Sequence, residues 1–212
     1  MAVGAGSIGI PEQRRHPAPD ILSSPDTPRL NPRSHVEKSC GSCSLCCKLL
    51  SIEGVEDRPG WTWCRHCAPG KGGCRIYDGR PEACRNFVCG WYSGGLDAVL
   101  ETERWYPAKA RMMITAEAVA PETHIVIHVD PNFPDRWREE PYRDDIRALA
   151  AAIPGGQRLF VRVKYRLIEI RETGEVDHGE VPMAGWTDAR NASLVASFER
   201  TDGRFVRRQD AG

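Results

Sequence analysis

The 212-residue chain has no apolar run near the ~18 residues a membrane-spanning helix needs, so no membrane partner is expected. It has no surplus charge of either sign: Lys plus Arg is 29 and Asp plus Glu is 29. A balanced chain offers no general field for DNA, RNA or an anionic surface, so no nucleic-acid partner is expected either. The N-terminal residues do not read as a secretory leader. Glu12, Arg14 and Arg15 follow the short apolar start instead of preceding it. The twin-arginine reading of Arg14-Arg15 fails because His16-Pro17-Ala18-Pro19-Asp20 supplies no apolar core. The expected location is cytoplasmic, where the acceptor-like Asn191-Ala192-Ser193 would have no meaning. There is no phosphate-binding glycine loop, no serine-centred nucleophile motif and no internal repeat. Cysteine is absent before residue 40 and after residue 89, yet the chain has nine.

All nine therefore fall in one stretch: Cys40, Cys43, Cys46, Cys47, Cys64, Cys67, Cys74, Cys84 and Cys89. An odd number cannot be fully paired in disulfides. In a reducing compartment, clustered cysteine means metal or redox chemistry. On a helix, Cys40, Cys43, Cys46 and Cys47 would share an arc of about 120°. As a loop, the same C-x2-C-x2-C spacing matches the first three ligands of a ferredoxin-type run, whose fourth comes from elsewhere. The neighbours Cys46 and Cys47 diverge in either conformation. They serve two sites, or one binds while the other packs. Trp63-Cys64-Arg65-His66-Cys67 is a second close pair, and Pro69 to Gly73 turn the chain into Cys74. Pro81 and Glu82 suit the first turn of a short helix through Phe87 that carries Cys84, with Cys89 just beyond it. So few aliphatic residues cannot build a core here. Bound metal would supply the folding free energy, roughly 10–16 kcal/mol for a structural zinc site.

The rest of the chain is conventional: 41% of all residues are hydrophobic and 27% charged. Residues 1–36 contain Pro11, Pro17, Pro19, Pro25, Pro28 and Pro32 with few large apolar side chains, and read as a disordered arm. Residues 37–95 form the cysteine module and 96–185 an α+β portion packed on it; 186–212 hold a weak helix over Asp188–Glu199 and a tail frayed beyond Gly203. The sequence predicts strands over Arg111–Glu117 and His124–Asp130. It predicts a helix over Tyr142–Ile153, with Ile146, Leu149, Ala150 and Ile153 on one stripe, stopped by Pro154-Gly155-Gly156. Leu159, Val161, Val163, Tyr165 and Leu167 alternate, so Arg158–Ile170 reads as one long strand with a return strand near Glu180–Met183. The expected fold class is α+β: a cysteine-rich metal-binding module with short helices and turns, then a small antiparallel sheet with one packed helix.

The motif Cys40-x2-Cys43-x2-Cys46-Cys47-Lys48-Leu49, Trp63-Cys64-x-His66-Cys67, Gly73-Cys74-x-Ile76-Tyr77-x2-Arg80-Pro81-x2-Cys84-Arg85-x-Phe87-x-Cys89-x-Trp91 resembles the YkgJ-type cysteine-cluster proteins. The resemblance extends to Val129-Asp130-Pro131 and Trp137-Arg138, over roughly residues 38–170. It implies a zinc- or iron-chelating role. Flagellin lysine N-methylases carry a similar cluster, described as iron–sulfur, on longer chains; this chain shows no glycine-rich methyl-donor loop.

The candidate ligands are Cys40, Cys43, Cys46, Cys47, Cys67, Cys74, Cys84 and Cys89, with Cys64 and His66 as further candidates. Two tetrathiolate zinc sites would use eight cysteines; one four-iron cluster would use four. The Cys40/Cys43/Cys46 spacing favours iron–sulfur, the second pair beside His66 favours zinc, and the balance leans to iron–sulfur. Cys47 or Cys64 could instead be a redox-active thiol outside the metal shell. Arg65, Arg75 and Arg85 would offset thiolate charge or are simply solvated. Trp61, Trp63, Trp91, Trp105 and Trp137 would shield the site or fill the core. His124 and His128 share a strand face, as a second ligand pair or as plain strand surface. The expected function is metal binding in a structural, electron-transfer or metal-handling role, with a protein partner as a further possibility. The alternatives are an iron–sulfur-assisted group-transfer enzyme and an interaction module with structural zinc.

Overall fold

The computed structural model describes residues 38–50, 61–71, 73–119, 122–154, 156–183, 189–201 and 204–207. The arm expected over residues 1–36 lies outside them. In the cysteine-bearing part, one-turn elements alternate with turns: helix α1 (Cys46–Leu49), strands β1 (Cys67–Ala68) and β2 (Gly73–Cys74), and helices α2 (Glu82–Asn86), α3 (Gly90–Ser93) and α4 (Pro107–Ala110). From residue 112 onward the elements lengthen.

Strands β3 (Met112–Val119) and β4 (Glu122–Val129) form an antiparallel hairpin. The helix α5 (Tyr142–Ala152) then carries the chain over to β5 (Leu159–Val163), which pairs parallel to β4. Strands β6 (Arg166–Arg171) and β7 (Gly174–Glu180) follow in antiparallel order, so the sheet runs β3-β4-β5-β6-β7. The fold is mixed α/β, and the larger sheet is mixed instead of purely antiparallel. The reason is the helix inserted between β4 and β5: a crossover of that length returns the chain to the same end, which a parallel pair requires. Helix α6 (Ala189–Ala196) and a small hairpin of β8 (Phe198–Thr201) with β9 (Arg204–Arg207) end the described chain. The frayed tail expected beyond Gly203 is thus a strand over its first part. Among the described residues, no helix is long and apolar enough to cross a membrane.

The single long strand expected over Arg158–Ile170 is two strands. Lys164 sits at φ 53 and, with Tyr165, folds the chain back so that Val163 partners Arg166. Partners share a face, so core-facing positions pass from odd numbers (Leu159, Val161) to even ones (Ile168, Ile170) across the turn. The return strand begins at Gly174, six residues before the expected Glu180.

One sheet face and α5 enclose the main core, where Ile114, Ile127, Val161, Ile168 and Ile170 meet Ile146 and Leu149. Leu149 is fully buried. Asp145, in the first turn of α5, accepts hydrogen bonds from Trp105 Nε1 (2.7 Å) and Arg104 Nε (3.0 Å), tying the helix to the segment before β3. The acidic first turn also suits the helix dipole. The opposite sheet face is buried as well, and beside Met113, Val126 and Phe160 it carries polar groups: Thr115, His124, His128, Arg162 and Glu169 are each under 8% exposed. His124 and His128 are therefore interior groups and not strand surface. Burial pushes the Glu117 carboxyl pKa up, but the His128 hydrogen bond (2.7 Å) and the charges of His128 and Arg162 outweigh it and bring the value to about 2.

Candidate metal centre

The cysteine part is fastened to the sheet at three places. Leu45 and Leu49 pack with Trp61, Met113, Tyr165 and Leu194. The ammonium of Lys48 reaches Asp130 Oδ1 at 2.5 Å, with the side chains 5% and 3% exposed. Asp130 follows the last residue of β4 and also accepts the Asn132 amide at 3.0 Å. Third, α3 lies directly on β3: a Cβ placed on Gly90 would stand 3.2 Å from Ile114, an approach only glycine permits without a shift. These anchors place the residues flanking the thiols on rigid structure.

The segment Cys40–Cys47 is not one helix. Gly41 takes φ +47 and the Cys43 amide closes on the Cys40 carbonyl at 2.7 Å, so a tight turn precedes α1. Glycine and the two serines disfavour helix continuation there. The consequence is a clear division of the thiols. Cys43 lies within electrostatic reach of Cys40 and Cys89. Cys43, Cys46 and Cys89 pack against the same apolar cluster. Tyr106 donates from its hydroxyl to the Cys40 carbonyl at 2.7 Å and holds the first turn in place.

Cys47 points into the other neighbourhood. It hydrogen-bonds with Cys67, and it lies within electrostatic reach of Cys67 and Cys84. Cys64 acts on both of those thiols, and Cys74 on Cys84. The backbone explains the grouping. The Cys64 amide donates to the Cys47 carbonyl (2.9 Å), the Cys67 amide donates to Cys64 (2.9 Å), and Cys67 partners Cys74 across the β1–β2 hairpin. Helix α2 then brings in Cys84. Cys46 packs against the apolar cluster that also meets Cys43 and Cys89, while its neighbour Cys47 hydrogen-bonds with Cys67. His66 does not belong to either neighbourhood: its Nε2 accepts from Arg65 at 3.1 Å.

None of the nine cysteines is disulfide-bonded. Burial first of all raises the thiol pKa of Cys40, Cys43, Cys84 and Cys89, and pushes Cys67 up to about 11 against a hydrogen bond from Ser44. Burial therefore favours the protonated form of these five thiols. Among the described residues, no group of three or more His, Cys, Asp or Glu side chains is drawn together closely enough to hold a metal ion. The donor chemistry of nine free thiols suits a thiolate centre.

Of the five tryptophans expected to shield the site or fill the core, Trp105 and Trp137 are buried in the sheet core and Trp61 in the cluster beneath α1. Trp63 is 39% exposed and lies 5.5 Å from the Lys48 ammonium. The buried Lys48–Asp130 pair was not anticipated as part of the site. Its sequence signal is a lysine inside an otherwise apolar Cys46–Leu50 run. No protein-family model, no curated protein and no solved structure matches the chain.

Proposed function

We propose that the protein is a metal-binding protein with two cysteine centres. Cys40, Cys43, Cys46 and Cys89 hold an iron–sulfur cluster. Cys47, Cys64, Cys67, Cys74 and Cys84 offer four ligands and one spare thiol for a zinc-type tetrathiolate. The observation that carries this reading is that Cys46 packs against the apolar cluster that also meets Cys43 and Cys89, while Cys47 lies with Cys67 and Cys84. The first group has the C-x2-C-x2-C spacing with a remote fourth thiol that suits a four-iron cluster. The second has a C-x2-C turn on a tight hairpin, the arrangement that suits tetrahedral zinc. The likeness to YkgJ-type cysteine-cluster proteins belongs to the same proposal and supports a chelating role.

Binding would displace the thiol protons and add the folding free energy that this loop-rich part lacks. The role is structural in the second centre, and electron transfer or metal handling in the first. Zinc in both centres is the second reading, favoured by the use of eight thiolates in two similar sets. The test is anaerobic purification of the full chain, with metal and sulfide analysis of Cys43→Ser and Cys67→Ser. Loss of iron and sulfide alone in the first variant, and of zinc alone in the second, is expected. Retention of all metal by either variant would overturn the ligand sets.

A further inference from the structure

Away from the cysteines, a cleft of about 310 Å³ opens between α5 and the β6–β7 turn. That volume lies at the lower end of small-molecule sites, roughly 300–1,000 Å³. Its floor is apolar and buried: Trp137, Ile146 and Ile170 are 3%, 2% and 6% exposed. Its rim is charged, and most of those charges already have partners. Arg171 grips the Glu169 carboxylate with Nε and Nη2, both at 3.0 Å. Glu175 is held by two nitrogens of Arg138 at 3.0 and 2.8 Å. Arg143 pairs with Glu140.

Two rim charges remain, Arg147 on α5 and Glu172 on the β6–β7 turn. Among the described residues neither has a hydrogen-bond or ion-pair partner, and they do not pair with each other. Helix α5 is fixed to the sheet through Ile146 and Leu149, and Glu172-Thr173 is a two-residue turn clamped by the pairing of Arg171 with Gly174. The cleft thus presents one cation and one anion on opposite walls above an apolar, aromatic floor.

We propose that this cleft binds a small zwitterion of the amino-acid class with an apolar side chain. Arg147 takes the carboxylate, in the planar two-point geometry a guanidinium offers. Glu172 takes the ammonium, and the side chain lies on Trp137, Ile146 and Ile170. The site is independent of the metal reading, since no cysteine lines it.

The experiment is a chemical-shift titration of the isotope-labelled full chain with L-phenylalanine, L-phenylalaninamide and N-acetyl-L-phenylalanine. Saturable shifts confined to α5 and residues 170–175 are expected with phenylalanine, with each single-charge analogue roughly tenfold weaker. In Arg147→Gln the acid and the amide should bind alike, while the penalty for N-acetylation remains. In Glu172→Gln the pattern should reverse. Both side chains are exposed, so both variants should fold, which the unshifted remainder of the spectrum checks. Equal binding of the three probes to the native chain, absence of saturable shifts with phenylalanine, or unchanged selectivity in either variant would overturn the proposal.

Discussion

Replacing Asp130 with Ala tests how the two halves of the molecule are joined. The Lys48 ammonium would keep its burial, at 5% side-chain exposure, and lose the carboxylate 2.5 Å away. An unpaired buried charge of this kind costs roughly 3–5 kcal/mol. Among the described residues, the Trp63 ring at 5.5 Å would remain in compensation, an attraction of about 1 kcal/mol. In a Lys48→Met background the buried Asp130 carboxylate is itself the group without its counter-charge, keeping the Asn132 amide, so the same Asp130→Ala change should cost little there or even stabilise. A double-mutant cycle by urea denaturation, followed by tryptophan fluorescence, should therefore give a coupling of about 3 kcal/mol between the two sites. The double variant should be more stable than Asp130→Ala alone. If the single variant loses less than about 1 kcal/mol, or the two losses simply add, the pair does not join the halves as described.

Glu117 gives a pH signature. Its folded pKa of about 2 lies below its ordinary 4.5, so the stabilisation it provides is complete above pH 4.5 and lost as pH falls toward 2. The stability difference between the native chain and Glu117→Gln should shrink over that window; a difference that stays constant from pH 6 to pH 2 contradicts the His128–Arg162 arrangement. Leu149→Ala removes a fully buried side chain from the α5–sheet core and should lower stability by roughly 2–5 kcal/mol in a denaturant titration. A loss under about 1 kcal/mol would place α5 outside the core. Chelation of bound metal should raise amide hydrogen exchange across residues 61–89 while Ile125–Val129 and Leu159–Val163 stay protected. Uniform loss of protection would mean that the sheet depends on the metal too.

The sheet and its helix were largely legible because their periodicity is strong: Ile125-Val126-Ile127 marked β4, and the Ile146/Leu149 stripe marked α5. The β5–β6 turn was missed because Lys164 carries no turn signature. A two-residue turn preserves the look of alternation while shifting it by one position, and only Ile168 and Ile170 betray the shift. The parallel pairing of β4 with β5 depends on where α5 delivers the chain, which no local pattern encodes. His124 and His128 looked like surface because histidine on an alternating strand usually is. Here Thr115, Glu117 and Arg162 provide a buried polar setting from neighbouring strands. In the cysteine part, spacing indicated that Cys46 and Cys47 diverge, toward two sites or with one of them packing. Which distant thiols each would join depended on the β1–β2 hairpin and α2, whose elements are too short to leave a periodic trace.

The most direct test of two separate centres is the metal and sulfide content of the anaerobically purified full chain, read with its zinc-edge X-ray absorption. The expected result is about four iron and about four sulfide per chain, together with about one zinc surrounded by sulfur at about 2.3 Å. A chain that binds a single metal centre, or none, under those conditions would contradict the division of the cysteines at Cys46 and Cys47.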